Sequence, residues 1–332
     1  MSDASSPLPP PTEGIVLPRT TGKQRERHWD ARVQLHWALQ LVATIGHELL
    51  TPTADDSHTS LTWEPHRHAF CSGWTAATDE VPAEDAEERR PRLRVDLELE
   101  PLRLRIERAR PQAGNRREGQ DGGSDDAEPL SLALRGYPLE VAFSWLRERL
   151  EELDLPLPET AALSEYDDIP RHAVIDEAAP LDPDEEGLRE LLARYHNAHL
   201  ILTELLGARP EATPIRIWPH HMDAAALLVY GDDPEQDPVI GLGMTPGDSY
   251  RTEPYWYVNP YGSGWATPES LPDLPEGAYW EREAFFGAVL STKTIGEQKR
   301  PSEQRAMLER FVRTSIRLQR QMMGLPDEAS GG

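Results

Sequence analysis

Cysteine is nearly missing from this chain. Cys71 is the only one in 332 residues, so no intrachain disulfide can form and a cytoplasmic setting is expected. Lysine is almost as scarce, confined to Lys23, Lys293 and Lys299. Positive charge as a whole runs short: 58 acidic residues against 34 basic ones give a formal net charge of −24. A nucleic-acid partner is therefore not expected, because a phosphate backbone calls for a concentrated positive surface. An anionic membrane would repel the chain for the same reason. Long apolar runs are absent too. One of the longest, residues 224–230, falls far short of the ~20 residues a membrane helix uses. No basic segment followed by an apolar one stands near Met1, so no signal peptide is expected. Also lacking are Gly-x-Ser-x-Gly, His-Glu-x-x-His, Cys-x-x-Cys and a dinucleotide fingerprint, which leaves the common hydrolase, redox and kinase classes without support.

What is present points to an α+β protein. Residues 1–26, rich in Ser, Pro and Thr, read as a disordered tail. From 28 to 50, Leu35, Leu39, Val42, Ile45 and Leu49 recur at helical spacing, and Pro52 ends the pattern. Short strands are expected over 59–63 and 68–74. Over 93–107, Leu93, Val95, Leu97 and Leu99 alternate with charged residues, then Leu102, Leu104 and Ile106 do the same. That predicts an antiparallel pair with one wet face. Residues 110–128 read as a mobile insertion. A strand over 130–134 and a helix over 139–153, opened by Pro138, complete an N-terminal half over 27–154. A Pro- and acid-rich linker, 155–183, leads to a C-terminal half over 184–323, and 324–332 form a tail.

In that second half a helix is expected over 184–206, capped by Gly207. Strands are expected over 215–218, 222–230, 239–244, 255–258 and 286–290, with a last helix over 302–323. Each half reads helix, strands, helix. The expected fold is an antiparallel sheet with helices on one side, in two similar halves about a pseudo-twofold. Polar side chains also mark the first helix of each half: His36, Gln40 and His47 in one, His196, His199 and Thr203 in the other. Such a stripe lines a cavity or forms a wet edge.

Chemistry-bearing residues concentrate between Trp218 and Val258. The densest group is Trp218, Pro219, His220, His221, Met222 and Asp223. Imidazole and carboxylate are metal ligands and acid–base groups. On a strand, His221 and Asp223 would share one face and His220 the other. His58, after Asp55 and Asp56, holds the matching place after the first helix. A divalent metal is the cofactor such a set would hold, on His221, Asp223 and His58. Against this, histidines beside strands also serve as buried or capping hydrogen-bond groups. Next comes Thr245-Pro246-Gly247-Asp248, a tight-turn sequence, then Ser249, Tyr250 and Glu253. Asp248 and Glu253 sit where loop residues often carry function, or Asp248 merely ties its own turn. Tyr250, Tyr255, Trp256 and Tyr257 open an aromatic stretch suited to stacking on a flat ligand. Alternation sends Tyr255 and Tyr257 to one face and Trp256 to the core.

These segments, with Phe285-Phe286-Gly287-Ala288-Val289-Leu290 and Asp55-Asp56-Ser57-His58-Thr59-Ser60-Leu61-Thr62-Trp63, resemble a bacterial family of unknown function. It is marked by Trp-Pro-His-His-aromatic-Asp, Pro-Gly-Asp and Glu-Pro-Tyr segments, and Met222 departs from the aromatic expected there. The resemblance sharpens the site and implies no activity.

Two functions follow as expectations. One is a metal- or small-molecule-dependent enzyme with a polar cleft between the halves, using His221 and Asp223 with His58, Asp248 and Glu253. The other is a non-catalytic binding module whose aromatic-rich groove, with Trp218, His220, Tyr250, Tyr255 and Tyr257, takes a small molecule.

Overall fold

The computed structural model describes residues 22–75, 92–109, 130–163, 166–167, 169–207, 209–231, 237–262 and 268–326. Most of the expected N-terminal tail and the whole 110–128 insertion lie outside these residues. The fold is α+β, with two antiparallel sheets and six helices among the described residues. Two compact units divide the chain. One contains residues 26–199 and 215–224; the other contains residues 200–214 and the described part of 225–332, with the start of the first helix. The boundaries fall elsewhere than at the 155–183 segment, which belongs to the first unit.

The first unit carries α1 (Gly22–Leu49), β1 (Thr62–Glu64), β2 (Ala69–Cys71), β3 (Leu93–Leu99), β4 (Leu102–Arg108), β5 (Leu130–Ala133), α2 (Leu139–Glu152) and α3 (Ala173–Asp176). It also holds most of α4 (Glu185–Leu206) and β6 (Arg216–Trp218). Its sheet is a meander, β1-β2-β3-β4-β5. The register pairs Val95 with Ile106 and Leu97 with Leu104, so the leucine side of the alternation is one buried face.

The other face departs from the wet surface expected of it. Asp96 is 0 % exposed and Glu98 is also buried. Arginines roof them: Arg67 Nη1 donates to Asp96 Oδ2 at 2.7 Å, Arg94 Nη2 to Glu107 Oε2 at 2.7 Å, and Arg103 Nε to Glu98 Oε2 at 2.8 Å. Long arginine stems shield the acids from water while their guanidinium groups pair with them. Burial pushes the Asp96 carboxyl up against the pull of Arg94 and Arg67. Cys71, opposite Asp96 in the register, is buried, and that burial raises its thiol further from reactivity.

The polar stripe of α1 is likewise no wet edge. His28, Arg32, His36, Gln40 and Thr44 recur every fourth residue and all are buried. Close approach to neighbours explains the small residues on this helix. A Cβ on Gly46 would sit 2.6 Å from the His58 carbonyl oxygen and 2.7 Å from Thr59 Cα. Aromatic packing secures α4 to the sheet. Phe70 meets Tyr195 edge-on at 4.8 Å, and Trp63 lies 5.2 Å from Phe70 and 5.7 Å from Tyr195.

The remaining strands are β7 (Asp223–Val229), β8 (Val239–Thr245), β9 (Tyr255–Tyr261), β10 (Ala278–Glu281) and β11 (Gly287–Ser291), followed by α5 (Thr292–Gly296) and α6 (Pro301–Met322). The second sheet runs β10-β11-β9-β8-β7-β6. Its last strands leave the meander order, because β11 inserts between β9 and β10. The two sheets thus differ in strand number and in closing topology. Helix α6 covers one face of the β8-β9-β11 strands. Leu290 Cδ1 and Met307 Cε both lie within 4 Å of the Cβ position at Gly277, so the Leu290 face is the one under the helix. Gln319 Nε2 donates to the Val258 carbonyl at 2.5 Å.

Replacing Gly46 with Ala tests the approach of α1 to the 58–59 loop. Alanine raises helix propensity by about 1 kcal/mol, yet the overpacking should win, for a net loss of about 1–3 kcal/mol. Urea melts of Gly46→Ala should show a lower midpoint; an unchanged or higher one contradicts the packing described.

Candidate functional site

The histidine pair is carried by a turn. Residues 219–222 join β6 to β7, closed by Met222 N–H donating to the Trp218 carbonyl at 2.7 Å. Met222 has φ 57°, a left-handed conformation that ends strand alternation there. The expected sharing of one strand face by His221 and Asp223 is thereby overturned. Instead the His220 and His221 rings lie side by side, 4.5 Å apart, with His221 exposed and Asp223 buried.

Three side chains hold this turn down. His36 Nε2–H donates to the Pro219 carbonyl at 2.7 Å, and Gln40 Nε2 reaches the same oxygen at 3.1 Å. Tyr195 O–H donates to the Met222 carbonyl at 2.6 Å. Burial drives the His36 imidazole down to about 3, helped by Arg32 and the two turn histidines, and the Pro219 bond only partly opposes it. A neutral imidazole that donates from Nε2 is a structural clamp. Around it, His220 packs against Tyr166 at 5.8 Å and Trp218 at 6.1 Å, while Tyr166 O–H and His47 Nε2 lie 3.0 Å apart.

His58 serves its own loop. Its Nδ1 accepts the Thr53 amide at 3.2 Å, and Asp55 Oδ1 accepts the Ser57 amide at 3.1 Å. Among the described residues, no group of three His, Cys, Asp or Glu side chains is placed to hold a metal ion. That includes His58, His221 and Asp223.

The second group of expected residues does converge, within the other unit. Alternation along β9 puts Tyr255, Tyr257, Asn259 and Tyr261 on the face opposite Trp256 and Val258. At its end Asp248 closes a turn: Asp248 Oδ1 accepts the Arg251 amide at 2.8 Å, and Oδ2 accepts the Tyr255 hydroxyl at 2.5 Å. Asp248 thus ties its own turn, as one of its two readings expected, and also holds the Tyr255 hydroxyl. Tyr250 donates to Glu281 and lies 2.8 Å from the Tyr279 hydroxyl. Glu281 Oε1 also accepts the amides of Arg282, Glu283 and Ala284 at 2.9, 2.7 and 3.1 Å. The Tyr250 bond, with those amides, holds the Glu281 carboxyl down at about 2. Arg251 spans the group, Nη1 to Tyr279 Oη at 3.1 Å and Nη2 to Glu253 Oε2 at 3.4 Å. Tyr250 meets Tyr255 and Phe285 edge-on, at 5.7 and 5.6 Å.

Of the ten candidate residues, Trp218, His220, His221, Asp223 and His58 belong to the first unit, and Asp248, Tyr250, Glu253, Tyr255 and Tyr257 to the second. Tyr279 belongs to the aromatic stretch that runs from Tyr250 to Trp280, whereas Arg251, Asn259 and Glu281 carry no such signal in the sequence. Asn259 and Tyr261 continue the Tyr255–Tyr257 alternation, a signal that was available. Glu281 lies on β10, whose short span, Ala278–Glu281, gives almost no periodicity to read.

The clamp makes an acid-stability prediction. Below its ordinary value of 6.5, His36 takes up a proton in the unfolded chain and stays neutral in the fold until about 3. Its contribution is therefore complete above pH 6.5 and falls as pH drops toward 3, at up to about 1.4 kcal/mol per unit. His36→Gln keeps a donor for the Pro219 carbonyl and removes the titration. Urea midpoints at pH 7 and pH 4.5 should differ less in His36→Gln than in the unaltered protein; an equal or larger difference contradicts the assignment.

No protein-family model matches the chain, and no curated protein or solved structure matches it either.

Proposed function

We propose that this chain is a non-catalytic binding protein for a small, uncharged ring compound, taken up on the tyrosine face of β9. One observation carries this reading: the hydroxyls of Tyr250 and Tyr255 are fixed on Glu281 and Asp248, with the Tyr250 and Tyr257 rings half-buried and Tyr279 exposed. Ring faces supply contact area to a flat ligand, and side chains already fixed in place lose little entropy when it binds. Three carboxylates, Asp248, Glu253 and Glu281, stand with Arg251 in this group, which disfavours an anion. A free cation finds Asp248 and Glu281 already satisfied by internal donors.

An enzyme gains less support from the same residues. Within this group the Glu281 carboxyl is held down at about 2, far from the working pH that suits a general acid or base. The metal-dependent form of that reading needs three ligands together, and the described residues offer no such group.

Calorimetric titration with neutral sugars and nucleobases tests the proposal. One class of ring should bind, and Tyr257→Ala should weaken it by about ten-fold or more, as expected for loss of a stacking partner. His221→Ala should leave affinity unchanged. Binding that is lost in His221→Ala but kept in Tyr257→Ala contradicts the reading, as does the absence of any binding.

A further inference from the structure

We infer that the outward face of α6 is a docking surface for an acidic segment of a partner protein, held by Arg310, Arg313 and Arg317. This surface is separate from the ligand face of β9, since it lies on the side of α6 turned away from the sheet. The three arginines follow one another at spacings of three and four residues, which sets them in one line along a helix. Leu308, Phe311, Val312 and Ile316 are buried on the opposite side, and all three arginines are exposed.

Other arginines of this helix and its cap are already engaged. Arg300 pairs with Glu303, and Arg305 with Glu204 and Glu309. The Arg320 guanidinium lies 4.7 Å from the centre of the Tyr230 ring. Among the described residues, by contrast, no carboxylate pairs with Arg310, Arg313 or Arg317, and Arg317 Nη1 reaches only Gln321 Oε1, at 3.5 Å. Glu309, four residues before Arg313, faces Arg305 instead, at 2.7 Å. Like charges three and four residues apart repel one another on a helix. In a chain of 58 acidic and 34 basic residues, this line of cations is open to an outside anion without the loss of an internal ion pair.

Its length and surroundings select the partner. Seven residues of helix rise roughly 10 Å, about the reach of three or four residues of extended peptide. Each guanidinium fork matches a carboxylate. A membrane surface calls for apolar side chains that enter it. The line continues instead through Ala306 and Gln321, neither of which is an aliphatic or aromatic anchor. A nucleic-acid duplex would bring a dense negative charge up to a chain of net charge −24, with only three cations to meet it. A short acidic segment brings little more charge than the arginines neutralise.

Fluorescence anisotropy of labelled octaglutamate with the full-length chain tests the inference. The peptide should bind at low salt and be released as salt rises, as solvated charge pairs are. Arg310→Gln, Arg313→Gln and Arg317→Gln together should weaken binding by about ten-fold or more, and Arg313→Gln alone by about two- to three-fold. A matched control combines Arg135→Gln, Arg171→Gln and Arg189→Gln. These arginines are exposed too, but each is paired with an acid, Asp182, Asp176 and Glu185 in turn. The control should stay within about two-fold of the unaltered chain, since it changes net charge equally but leaves α6 intact. If the α6 triple variant does not fold, Arg313→Gln against Arg189→Gln decides. Equal weakening in variant and control reports only a general charge effect and overturns the inference, as does no binding at low salt. A DNA duplex that binds more tightly than octaglutamate, through the same three arginines, overturns the assigned partner.

Discussion

The pleat of β9 is the constraint on which the second unit depends. Its side chains must alternate, and α6 covers one side of the sheet, so Trp256 and Val258 go under the helix. Tyr255, Tyr257, Asn259 and Tyr261 have no choice but the other face. A slip of one residue would put four polar-tipped side chains under α6 in place of Trp256 and Val258. Neighbouring strands accommodate this arrangement with glycine at 241 and 287, where any Cβ would strike a ring or the Asn259 side chain. The aromatic face and its polar floor are therefore consequences of one strand's register. Asp248 and Glu281 then fix the tyrosine hydroxyls at its end.

In the first unit the conspicuous His-His-Met-Asp sequence has an architectural explanation. A tight turn leaves carbonyls with no partner in the sheet, and a buried carbonyl must find a donor. Pro219 finds two, His36 and Gln40, one helical turn apart on α1. Met222 finds Tyr195 on α4. Three donors from two helices thus fix one hairpin, and His36 and Gln40 on α1 are buried because this is their work. Metal or acid–base chemistry is not needed to explain why histidine, glutamine and tyrosine stand at those positions.

Much of the fold was legible because it rests on periodicity. The leucine alternation over 93–106 predicted β3 and β4, and helical spacing predicted α4 and α6 to within a residue or two, whereas α1 begins at Gly22, inside the stretch expected as a disordered tail. Legibility ended where tertiary contact overrides pattern. The acidic side of β3 looked wet because a sequence does not show Arg67 and Arg103 folding over Asp96 and Glu98. His36 and Gln40 looked like an edge because their partner, Pro219, is nearly two hundred residues away. The candidate site was half legible. Asp248, Tyr250, Glu253, Tyr255 and Tyr257 were found from turn chemistry and alternation, and they do meet. His58 was paired with His221 by analogy of position alone, and its ring instead closes its own loop. Asn259 was overlooked because an amide among tyrosines carries no motif, only a place in the alternation.

A ligand held on the proposed tyrosine face of β9 would leave the histidine turn untouched. Two-dimensional NMR of protein labelled at tyrosine and histidine ring carbons tests it directly, recorded with and without the tightest-binding ring compound. Shifts are expected at Tyr250, Tyr257 and Tyr261, with His220 and His221 unmoved. Shifts confined to His220 and His221, with the β9 tyrosines silent, would contradict it.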